Sequence, residues 1–381
     1  MDRTQQNSQK TVAVAMSGGV DSSVAALLLH EQGQSVLGIS MQVWDYRNNG
    51  GSCSRATCCS PDDFTDARRV AGKIGVPYYV FDFEKVFEER VISNFVKKYQ
   101  EGLTPNPCVD CNSKVKFKEL RARAYSIGCS SVATGHYAQI EKQSDGYHLL
   151  RSIDSDKDQS YFLYGLSQSD LSKTLFPVGH LTKPEVRELA RKAGLNTASK
   201  PESQDICFVS GTVSEFMKRR GVKDIKGSIL DVNGNKIGQH DGIHKFTVGQ
   251  RKGVGVGGNE VPLYVLEINP ETNSVIIGDK KNLERDSFFV GEVNWLHPKL
   301  CNIEIPQTGI EAVVQLRHRH KGVKCKITPI DSNSVKVNFI DEWTTVSPGQ
   351  AAVFYDLENR EVLAGGRIRH QNRLSLSAIA N

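Results

Sequence analysis

Short apolar runs alternate with amphipathic stretches along the first half of the chain. The apolar runs predict β-strands at residues 11–16, 35–44, 77–83 and 131–134, and the amphipathic stretches predict helices at residues 22–30, 60–75, 84–101 and 113–127. Strands that alternate with helices of this length are typical of a parallel sheet covered on both faces. The pattern therefore predicts an α/β fold with a doubly wound parallel sheet.

Two helix starts carry local signals. Ser60-Pro61-Asp62-Asp63 offers an N-capping serine, a proline suited to the first turn and an acidic residue three positions after the cap. Thr182-Lys183-Pro184-Glu185 has the form of a capping box, and Gly194 is suited to end the helix that follows. Both signals predict helices that begin at these motifs.

The character of the sequence changes after about residue 212. Between residues 211 and 260 there are 11 glycines, and short alternating runs follow at residues 263–268, 274–277, 288–293, 312–316, 323–327, 334–339 and 351–355. Short strands at regular spacing are typical of small β-barrels or sandwiches. We predict a disordered tail at residues 1–10 and a catalytic α/β domain at 11–212. Two small β-barrel domains follow, a central one at 213–290 and a C-terminal one at 291–381.

Composition narrows the class of protein. The chain has 381 residues and no apolar run of 18, so the sequence predicts no membrane-spanning segment. Its first ten residues are polar, which predicts no cleavable secretory signal. Nine cysteines are too few for a disulfide-stapled secreted module, so we expect reduced thiols and a cytoplasmic location.

The net charge of +5 is unevenly distributed. Residues 1–215 carry 25 basic and 25 acidic side chains, so the whole excess falls in residues 216–381. A basic C-terminal half favours contact with a polyanion. The candidate clusters are Arg317-His318-Arg319-His320-Lys321 and Lys218-Arg219-Arg220, although each also fits a solvated run of charges.

The strongest motif is Ser17-Gly18-Gly19-Val20-Asp21-Ser22-Ser23, between a predicted strand and a predicted helix. The glycines let backbone N–H groups approach an anion, and the helix N-terminus adds donors and the positive end of its dipole. The serines add hydroxyl donors, and Asp21 is placed to hold a Mg²⁺ ion that bridges phosphates. The Gly-Lys-Ser/Thr ending of a Walker loop is absent. The motif matches the PP-loop of the ATP pyrophosphatase superfamily, which cleaves ATP between its α and β phosphates.

Three cysteines lie in contexts that favour chemistry. Cys108 and Cys111 lie in a proline-rich loop before a predicted helix, and a helix N-terminus lowers the pKa of a nearby thiol. Cys207 lies about a hundred residues further on, in Ser203-Gln204-Asp205-Ile206-Cys207-Phe208. The alternative for any of these cysteines is a small buried apolar residue.

The other cysteines allow a competing interpretation. A zinc or iron–sulfur site could combine Cys108 and Cys111 with Cys53, Cys58 and Cys59. The adjacent pair Cys58–Cys59 is an awkward chelate and no second Cys-x-x-Cys exists, so we predict no metal site built from cysteines. The remaining three are expected to be core residues: Cys129, Cys301 and Cys325.

Further motifs make the sequence resemble a known family. Besides the PP-loop, these are Thr104-Pro105-Asn106-Pro107 with Cys111-Asn112, Ala133-Thr134-Gly135-His136-Tyr137, Lys157-Asp158-Gln159-Ser160-Tyr161-Phe162-Leu163, Ser203-Gln204-Asp205 with Cys207-Phe208, Val248-Gly249-Gln250-Arg251-Lys252-Gly253 and Ser347-Pro348-Gly349-Gln350. In order and spacing, from about residue 11 to 370, they resemble the tRNA-specific 2-thiouridylase family. The resemblance implies a PP-loop domain followed by two β domains, and ATP-dependent action on the wobble uridine of tRNA.

The resemblance also implies site residues and partners. ATP would contact Ala15, Met16, Ser17, Gly18, Gly19, Val20, Asp21, Ser22, Met41 and Gly135. Cys207 would carry a persulfide and Cys111 would be the partner nucleophile. The tRNA would contact Asn106, Pro107, Cys108, His136, Lys157, Asp158, Gln159, Arg317, His318 and Gln350. The implied cofactors are ATP and Mg²⁺, and a cysteine desulfurase or sulfur-relay protein would donate the persulfide.

The implied chemistry is physically coherent. Adenylation of the uridine 2-carbonyl oxygen creates a good leaving group, and sulfur then arrives from the Cys207 persulfide, giving 2-thiouridine, AMP and pyrophosphate. Cys111 either attacks the persulfide to release sulfide or resolves the intermediate after direct attack. Many members of the family have an acid/base Asp where this chain has Cys108, and a thiol does not replace a carboxylate at neutral pH. Either Asp110 substitutes, or no side-chain base is needed there.

Two alternatives belong to other classes of function. A PP-loop amide or guanidino ligase would use ammonia or an amine and would need no paired thiols. An RNA-binding protein with β domains and a degenerate nucleotide fold would not need the intact loop with its serines and Asp21.

Overall fold

The computed structural model describes residues 10–44, 61–202, 206–256, 261–301 and 305–370. Two compact units emerge, one comprising Met1–Ile92 and Cys108–Ser210 and the other comprising Ser93–Pro107 and Gly211–Asn381. Residues 1–9 of the predicted tail and the predicted cap Ser60 lie outside the described residues. The domain boundaries at 212/213 and 290/291 stay predictions.

The first unit is built on a parallel sheet, which confirms the predicted fold class. Its strands are β1 (Thr11–Ala15), β2 (Ser35–Gln42), β3 (Tyr78–Asp82), β4 (Cys129–Thr134), β5 (Ala138–Lys142), β6 (Tyr147–Arg151) and β7 (Thr174–Leu175). The sheet order is β3-β2-β1-β4-β7, and β5 and β6 form a separate antiparallel hairpin. Sequence periodicity did not reveal the hairpin or β7.

Helices of the first unit flank this sheet. They are α1 (Val20–Glu31), α2 (Pro61–Ile74), α3 (Glu84–Phe87), α5 (Pro107–Asp110), α6 (Arg121–Ser126), α7 (Gln168–Leu171) and α8 (Lys183–Lys192). Helix α4 (Ser93–Gln100) belongs to the second unit. A π-helical turn at Glu88–Ile92 follows α3, and a longer π-helical stretch at Cys111–Leu120 joins α5 to α6. The predicted capping box of Thr182 and Glu185 at the start of α8 is present.

The core of the first unit surrounds α1. This helix contacts α2, α8 and the strands of the sheet, so apolar residues are buried on most of its surface. Val14 on β1, Val24 and Leu27 on α1, Val70 on α2 and Val186 on α8 belong to one buried cluster. This packing fixes the N-terminus of α1 at the carboxyl end of β1.

The second unit contains a small mixed sheet after helix α9 (Val213–Arg219). Its strands are β8 (Gly227–Leu230), β9 (Lys236–His240), β10 (Tyr264–Asn269) and β11 (Ser274–Gly278), in the order β10-β11-β8-β9. Ile229, Val265 and Val275 are fully buried in its core. Among the described residues, three short 3-10 helices occur at Ser160–Phe162, Ile243–Lys245 and Lys280–Leu283.

A closed six-stranded barrel completes the second unit, as predicted for the C-terminal region. The remaining elements are β12 (Glu284–Arg285), β13 (Ser287–Trp295), α10 (Pro298–Cys301), β14 (Ile310–Gln315), β15 (Val323–Asp331), β16 (Ser334–Phe339), β17 (Thr344–Thr345), β18 (Ala351–Tyr355) and β19 (Val362–Ile368). The barrel order is β13-β16-β15-β14-β18-β19, and β12 pairs with β17. Phe288, Val314, Ile327, Val337 and Phe354 fill the interior.

Candidate active site

The predicted phosphate-binding loop at residues 17–19, called the phosphate loop below, connects the central strand of the parallel sheet to helix α1. Residues 17–19 follow β1, and β1 lies between β2 and β4. The chain passes from β1 to β2 and β3 on one side and then crosses to β4 on the other, so the strand order reverses beside β1. In open parallel sheets, ligands bind in the crevice at the carboxyl ends of the strands where the order reverses. The loop therefore lies where a nucleotide is expected.

Two glycines let the backbone of this loop approach its neighbours closely. Gly18 has a φ of +72°, and a Cβ atom there would overlap the backbone oxygen of Asp63. Gly135 directly follows β4, and a Cβ atom there would lie 2.5 Å from the backbone nitrogen of Ser22. A side chain at either position would displace the loop, so the local geometry requires glycine at both.

Serine hydroxyls fold the loop onto the first turn of α1. The Ser17 backbone N–H donates to the Ser22 Oγ at 3.1 Å, and the Ser22 hydroxyl donates to the Gly19 backbone oxygen at 3.2 Å. The Ser23 hydroxyl donates to the same oxygen at 2.8 Å. Gly19 is the N-cap and provides no side-chain hydrogen bond to the helix. An anion can therefore take the N–H donors of the first turn, supported by the helix dipole.

The remaining predicted ATP contacts line the same edge of the sheet. Ala15 ends β1, and Met16 and Val20 are buried beside the loop. The Ser40 hydroxyl on β2 donates to the Met16 backbone oxygen, which fixes the start of the loop. Met41 is half-buried near the carboxyl end of β2, the strand adjacent to β1.

A chain of alternating charges starts at the loop. The Lys183 ammonium donates to both carboxylate oxygens of Asp21, at 2.7 and 2.9 Å, and lies 2.9 Å from Oε1 of Glu202. The other Glu202 oxygen accepts a hydrogen bond from Lys157 at 2.8 Å. We call Asp21, Lys183, Glu202 and Lys157 the ion-pair chain. The Tyr137 hydroxyl also donates to Asp21, at 2.9 Å.

These contacts shift the pKa values of Tyr137 and Glu202. Burial, and then the negative charge of Asp21, raises the pKa of the Tyr137 hydroxyl, so the phenol stays protonated. Burial disfavours the charged form of Glu202, but hydrogen bonds from Lys157 and Lys183 outweigh it and lower its pKa to about 2. Glu202 is therefore an anion at neutral pH and can pair with both lysines.

Several predicted tRNA contacts lie on the turn that carries Lys157. The Asp158 carboxylate is buried and accepts hydrogen bonds from Arg151, from the Ser152 backbone and from the Ser160 hydroxyl. The Gln159 Oε1 accepts a hydrogen bond from the Tyr137 backbone at 3.0 Å. Within this unit, Asp158 and Gln159 therefore shape the turn, and the side chain of Lys157 remains partly exposed.

His136 follows Gly135 at the carboxyl end of β4. Its Nδ1 lies 2.7 Å from the Thr134 hydroxyl, and its ring packs against Phe117 and Phe176. Burial, and then the positive charge of Lys116, lowers the pKa of the imidazole well below its usual value. His136 is therefore neutral at physiological pH.

Cys108 and Cys111 lie in a helix, which corrects the prediction of a proline-rich loop at this position. Helix α5 starts at Pro107. Proline has no backbone N–H, but the first turn of a helix leaves its N–H groups without partners inside the helix, so proline is suited to this position. Cys108 is exposed on α5, and Cys111 is half-buried at the start of the π-helical stretch. That stretch packs against α3. The Asn112 side chain donates to the Phe162 backbone oxygen at 3.2 Å and holds the segment in place.

Cys207 is positioned by the residue that follows it. Phe208 is buried, with its ring centroid 5.7 Å from that of Phe87 on α3 and 6.4 Å from that of Trp44, which follows β2. Cys207 is half-buried, and the six described cysteines are thiols. The segments that carry Cys111 and Cys207 therefore both pack on α3. Cys129 and Cys325 are buried as predicted, but Cys301 is exposed at the end of α10, so the prediction of a core residue was wrong there. Cys53, Cys58 and Cys59, and with them the alternative metal site, lie outside the described residues.

Asp110 was the alternative acid/base residue. Its side chain is buried, and one carboxylate oxygen lies 2.9 Å from the ammonium of Lys114, one helical turn further on. The Asp110 carboxylate therefore pairs within the helical segment that carries Cys111.

The other predicted tRNA contacts belong to the second unit. The Gln350 side chain donates to the Thr104 backbone oxygen at 2.9 Å, and the Thr104 N–H donates to the Pro348 oxygen at 2.9 Å. Arg367 on β19 donates to the Asn106 backbone oxygen at 3.5 Å. The barrel therefore holds the segment that ends at Asn106 and Pro107.

Arg317 and His318 lie in the turn that follows β14. The buried Gln315 side chain donates to the backbone oxygens of Arg317 and His318, at 3.2 and 2.7 Å. Arg317, Arg319 and Lys321 are exposed. A fixed turn with exposed cationic side chains is suited to phosphate contacts.

Sequence reasoning missed Lys183, Glu202 and Tyr137. Lys183 was hidden inside the Thr182 capping box, and Glu202 directly precedes a motif that drew attention to Cys207. Tyr137 lies in one of the motifs that carry the family resemblance, but the sequence predicts no contact for its side chain. Lys183 and Tyr137 each pair with Asp21 across more than 100 residues of sequence, and Glu202 pairs with Lys157 across 45. Periodicity carries no signal for such pairing.

Comparison with known proteins covers nearly the whole chain. A family model described as the tRNA methyl transferase HUP domain matches residues 10–211, and one described as the tRNA methyl transferase PRC-barrel domain matches residues 214–279. A third, the aminomethyltransferase beta-barrel domain, matches residues 285–368. Among the described residues, no helix is both long and apolar enough to cross a membrane.

Curated relatives agree along their full length. The tRNA-specific 2-thiouridylase MnmA of Geotalea uraniireducens is 47% identical over 96% of this chain and 96% of that protein. The protein of the same name from Geobacter metallireducens is 46% identical over 95% of this chain and 98% of that protein. A solved 4-thiouridine synthetase–RNA complex with bound ATP aligns with a TM-score of 0.32 and 13% identity, over 55% of this chain and 50% of that chain. On the full-length relatives and the matched domains, the chain belongs to the tRNA-specific 2-thiouridylase family.

Proposed function

We propose that this chain adenylates the 2-carbonyl oxygen of the wobble uridine of tRNA with ATP and replaces that oxygen with sulfur from a Cys207 persulfide. The observation that carries the proposal is the placement of two thiol segments on α3, in the unit whose sheet presents the phosphate loop at its strand-order reversal. A PP-loop ligase explains the loop but gives Cys111 and Cys207 no role.

The phosphate loop would bind and orient ATP. Backbone N–H groups of Gly18, Gly19 and the first turn of α1 would receive the phosphates, while Gly135 and Met41 would border the nucleotide. The Asp21 carboxylate is 30% exposed and offers the hard oxygen ligands that Mg²⁺ prefers. When bound, Mg²⁺ would offset the negative charge that builds on the departing pyrophosphate.

Two thiols would then complete the sulfur transfer. The terminal sulfur of the Cys207 persulfide, loaded by a cysteine desulfurase or sulfur-relay protein, attacks the uridine C2 with loss of AMP. The Cys111 thiolate attacks the Cys207 sulfur, so the bond to the transferred sulfur breaks and that sulfur remains on C2 as the thiocarbonyl. The two cysteines are oxidised to a disulfide as the transferred sulfur is reduced, and an external thiol reductant restores both.

Recognition of tRNA would involve both units. In the first unit we assign Cys108, His136 and Lys157 to contacts with the RNA, with Asp158 and Gln159 shaping the turn that presents Lys157. In the second we assign contacts to Asn106, Pro107, Arg317, His318 and Gln350. An anticodon loop suits such contacts because its bases can be unstacked and extruded.

The test combines two assays on purified protein with an unmodified tRNA transcript. Pyrophosphate release from ATP should require tRNA, and 2-thiouridine should form when a cysteine desulfurase and cysteine are added. Cys207→Ser should abolish thiolation but keep measurable pyrophosphate release, and Cys111→Ser should abolish thiolation. Cys301→Ser, a change at an exposed cysteine of α10, should match the wild type. Full thiolation by either Cys111→Ser or Cys207→Ser would defeat the assignment, and pyrophosphate release that needs an amine instead of tRNA would identify a ligase.

A further inference from the structure

The ion-pair chain has a candidate substrate contact at each end. Asp21 belongs to the phosphate loop, and Lys157 is assigned to tRNA. The two inner members connect these ends, because Lys183 contacts both Asp21 and Glu202, and Glu202 contacts both lysines. The inner ammonium is shielded, with 9% of the Lys183 side chain exposed, whereas 35% of the Lys157 side chain is exposed. The chain of charges therefore runs from the nucleotide loop to an accessible cation.

We propose that Lys183 and Glu202 couple nucleotide binding to tRNA binding by redistributing these ion pairs. This inference rests on the proposed function, since it needs ATP at the loop and tRNA at Lys157. With the loop empty, Lys183 divides its charge between Asp21 and Glu202, and Glu202 holds Lys157. Once Asp21 is engaged by a divalent cation with its nucleotide, Lys183 pairs with Glu202 alone. Glu202 then holds Lys157 less strongly, and Lys157 becomes available to an RNA phosphate.

The local structure favours exchange of charge over movement of the backbone. The Lys183 backbone N–H donates to the Asp154 carboxylate at 2.8 Å, and the Lys157 N–H donates to the Asp154 backbone oxygen at 3.1 Å. Both lysines are thus fixed to one turn at their main chains, and only their side chains need to change partners. The Lys183 ammonium also lies 5.6 Å from the centroid of the Tyr137 ring, a cation–π contact that holds it in place when Asp21 is engaged.

The coupling must be reciprocal. If the nucleotide raises the affinity for tRNA by some factor, tRNA raises the affinity for the nucleotide by the same factor. Coupling between two binding sites typically changes affinity by about 5- to 150-fold, and one exchanged ion pair belongs at the low end, about tenfold. Two positioning residues, Lys183 and Glu202, would carry this effect, and neither needs to touch tRNA.

The experiment measures tRNA affinity with and without Mg²⁺ and α,β-methylene-ATP, whose methylene bridge blocks cleavage between the α and β phosphates. Fluorescence anisotropy with a labelled tRNA transcript at fixed ionic strength gives the ratio of the two dissociation constants. We expect a ratio of about ten for the wild type and about one for Lys183→Met. Glu202→Gln should bind tRNA tightly even without nucleotide, because Lys157 is no longer held by a carboxylate, and its ratio should also be near one.

Lys192→Met is the matched control, since Lys192 lies on the same helix with 73% of its side chain exposed. It should keep the wild-type ratio. A wild-type ratio of one, with both ligands binding, would overturn the coupling, as would a wild-type ratio retained in Lys183→Met. If Lys183→Met does not fold, Glu202→Gln decides alone, and a nucleotide-dependent ratio retained there overturns the proposal. Failure of the wild type to bind either ligand would count against the proposed function itself.

Discussion

A methyl group added at Gly135 would test how the phosphate loop is held. In Gly135→Ala the new Cβ would lie 2.5 Å from the Ser22 nitrogen and 2.6 Å from the Asp21 carbonyl carbon. Favourable contact begins at about 3.5 Å, so the two backbones must separate by about 1 Å. Both colliding groups are main chain, so no rotamer change can relieve the overlap. Overpacking of this kind costs about 1–3 kcal/mol of stability, and a 1 Å displacement of reacting groups can lower a rate about 100-fold.

The assay is tRNA-dependent pyrophosphate release, with thermal unfolding measured in parallel. Gly135→Ala should fold, melt at a lower temperature and lose about 100-fold in kcat/KM for ATP. Gly72→Ala makes the same chemical change on the exposed face of α2, where the added Cβ has no neighbour within 4 Å. It should keep full activity and gain about 0.5–1 kcal/mol of stability. Activity of Gly135→Ala within about threefold of the wild type would refute the claim that the contact of Gly135 with the Ser22 backbone positions the phosphate loop.

Three further predictions follow from other parts of the molecule. Phe208→Ala removes a buried ring and should lower the free energy of unfolding, measured in urea, by about 3–5 kcal/mol. Iodoacetamide should also alkylate Cys207 faster. Unchanged stability would contradict the anchoring role of Phe208. Gln315→Ala releases the turn at His318 and should weaken tRNA binding without changing nucleotide affinity, and equal loss of both would point to general unfolding. The pKa of Glu202 is lowered to about 2, so its ion pairs stabilise the fold above the unfolded-state pKa of about 4.3 and are lost as the pH falls toward 2. The stability gap between the wild type and Glu202→Gln should therefore shrink as the pH falls from about 5 to about 3, and a constant gap would argue against these pairs.

Local sequence signals predicted the elements whose causes are local. The apolar run that forms β1, the glycines of the loop and the Thr182 capping box all act within a few residues, and each was found where it was predicted. The prediction of a loop at Pro107 was wrong, because proline is accepted at the first position of a helix and α5 starts there. The β5–β6 hairpin was missed because one strand, Tyr147–Arg151, is buried at three successive positions and shows no alternation.

The site itself was predicted only in part, for a related reason. The motif at residues 17–23 announces an anion-binding loop because strand, glycines and helix are contiguous, but the partner of Asp21 lies 162 residues away. The contact of Gly135 with Ser22 likewise depends on β4 pairing with β1, which a single sequence does not reveal. The family resemblance predicted Asp21 and Gly135 as site residues. The fold shows which contacts require these residue types.

The position of Lys183 is nevertheless an electrostatic signal that can be found in the sequence. It is the first residue of α8, where a cation opposes the helix dipole and costs about 0.3–1 kcal/mol. A capping box otherwise optimises this helix start, so a lysine at that position is a local conflict in a favourable setting. Such conflicts tend to mark functional or strained sites. Here the carboxylates of Asp21 and Glu202 compensate the misplaced charge. Removing both carboxylates should therefore destabilise α8. Lys183→Met should remove the unfavourable interaction of the cation with the helix dipole, and it should also uncouple the ion-pair chain.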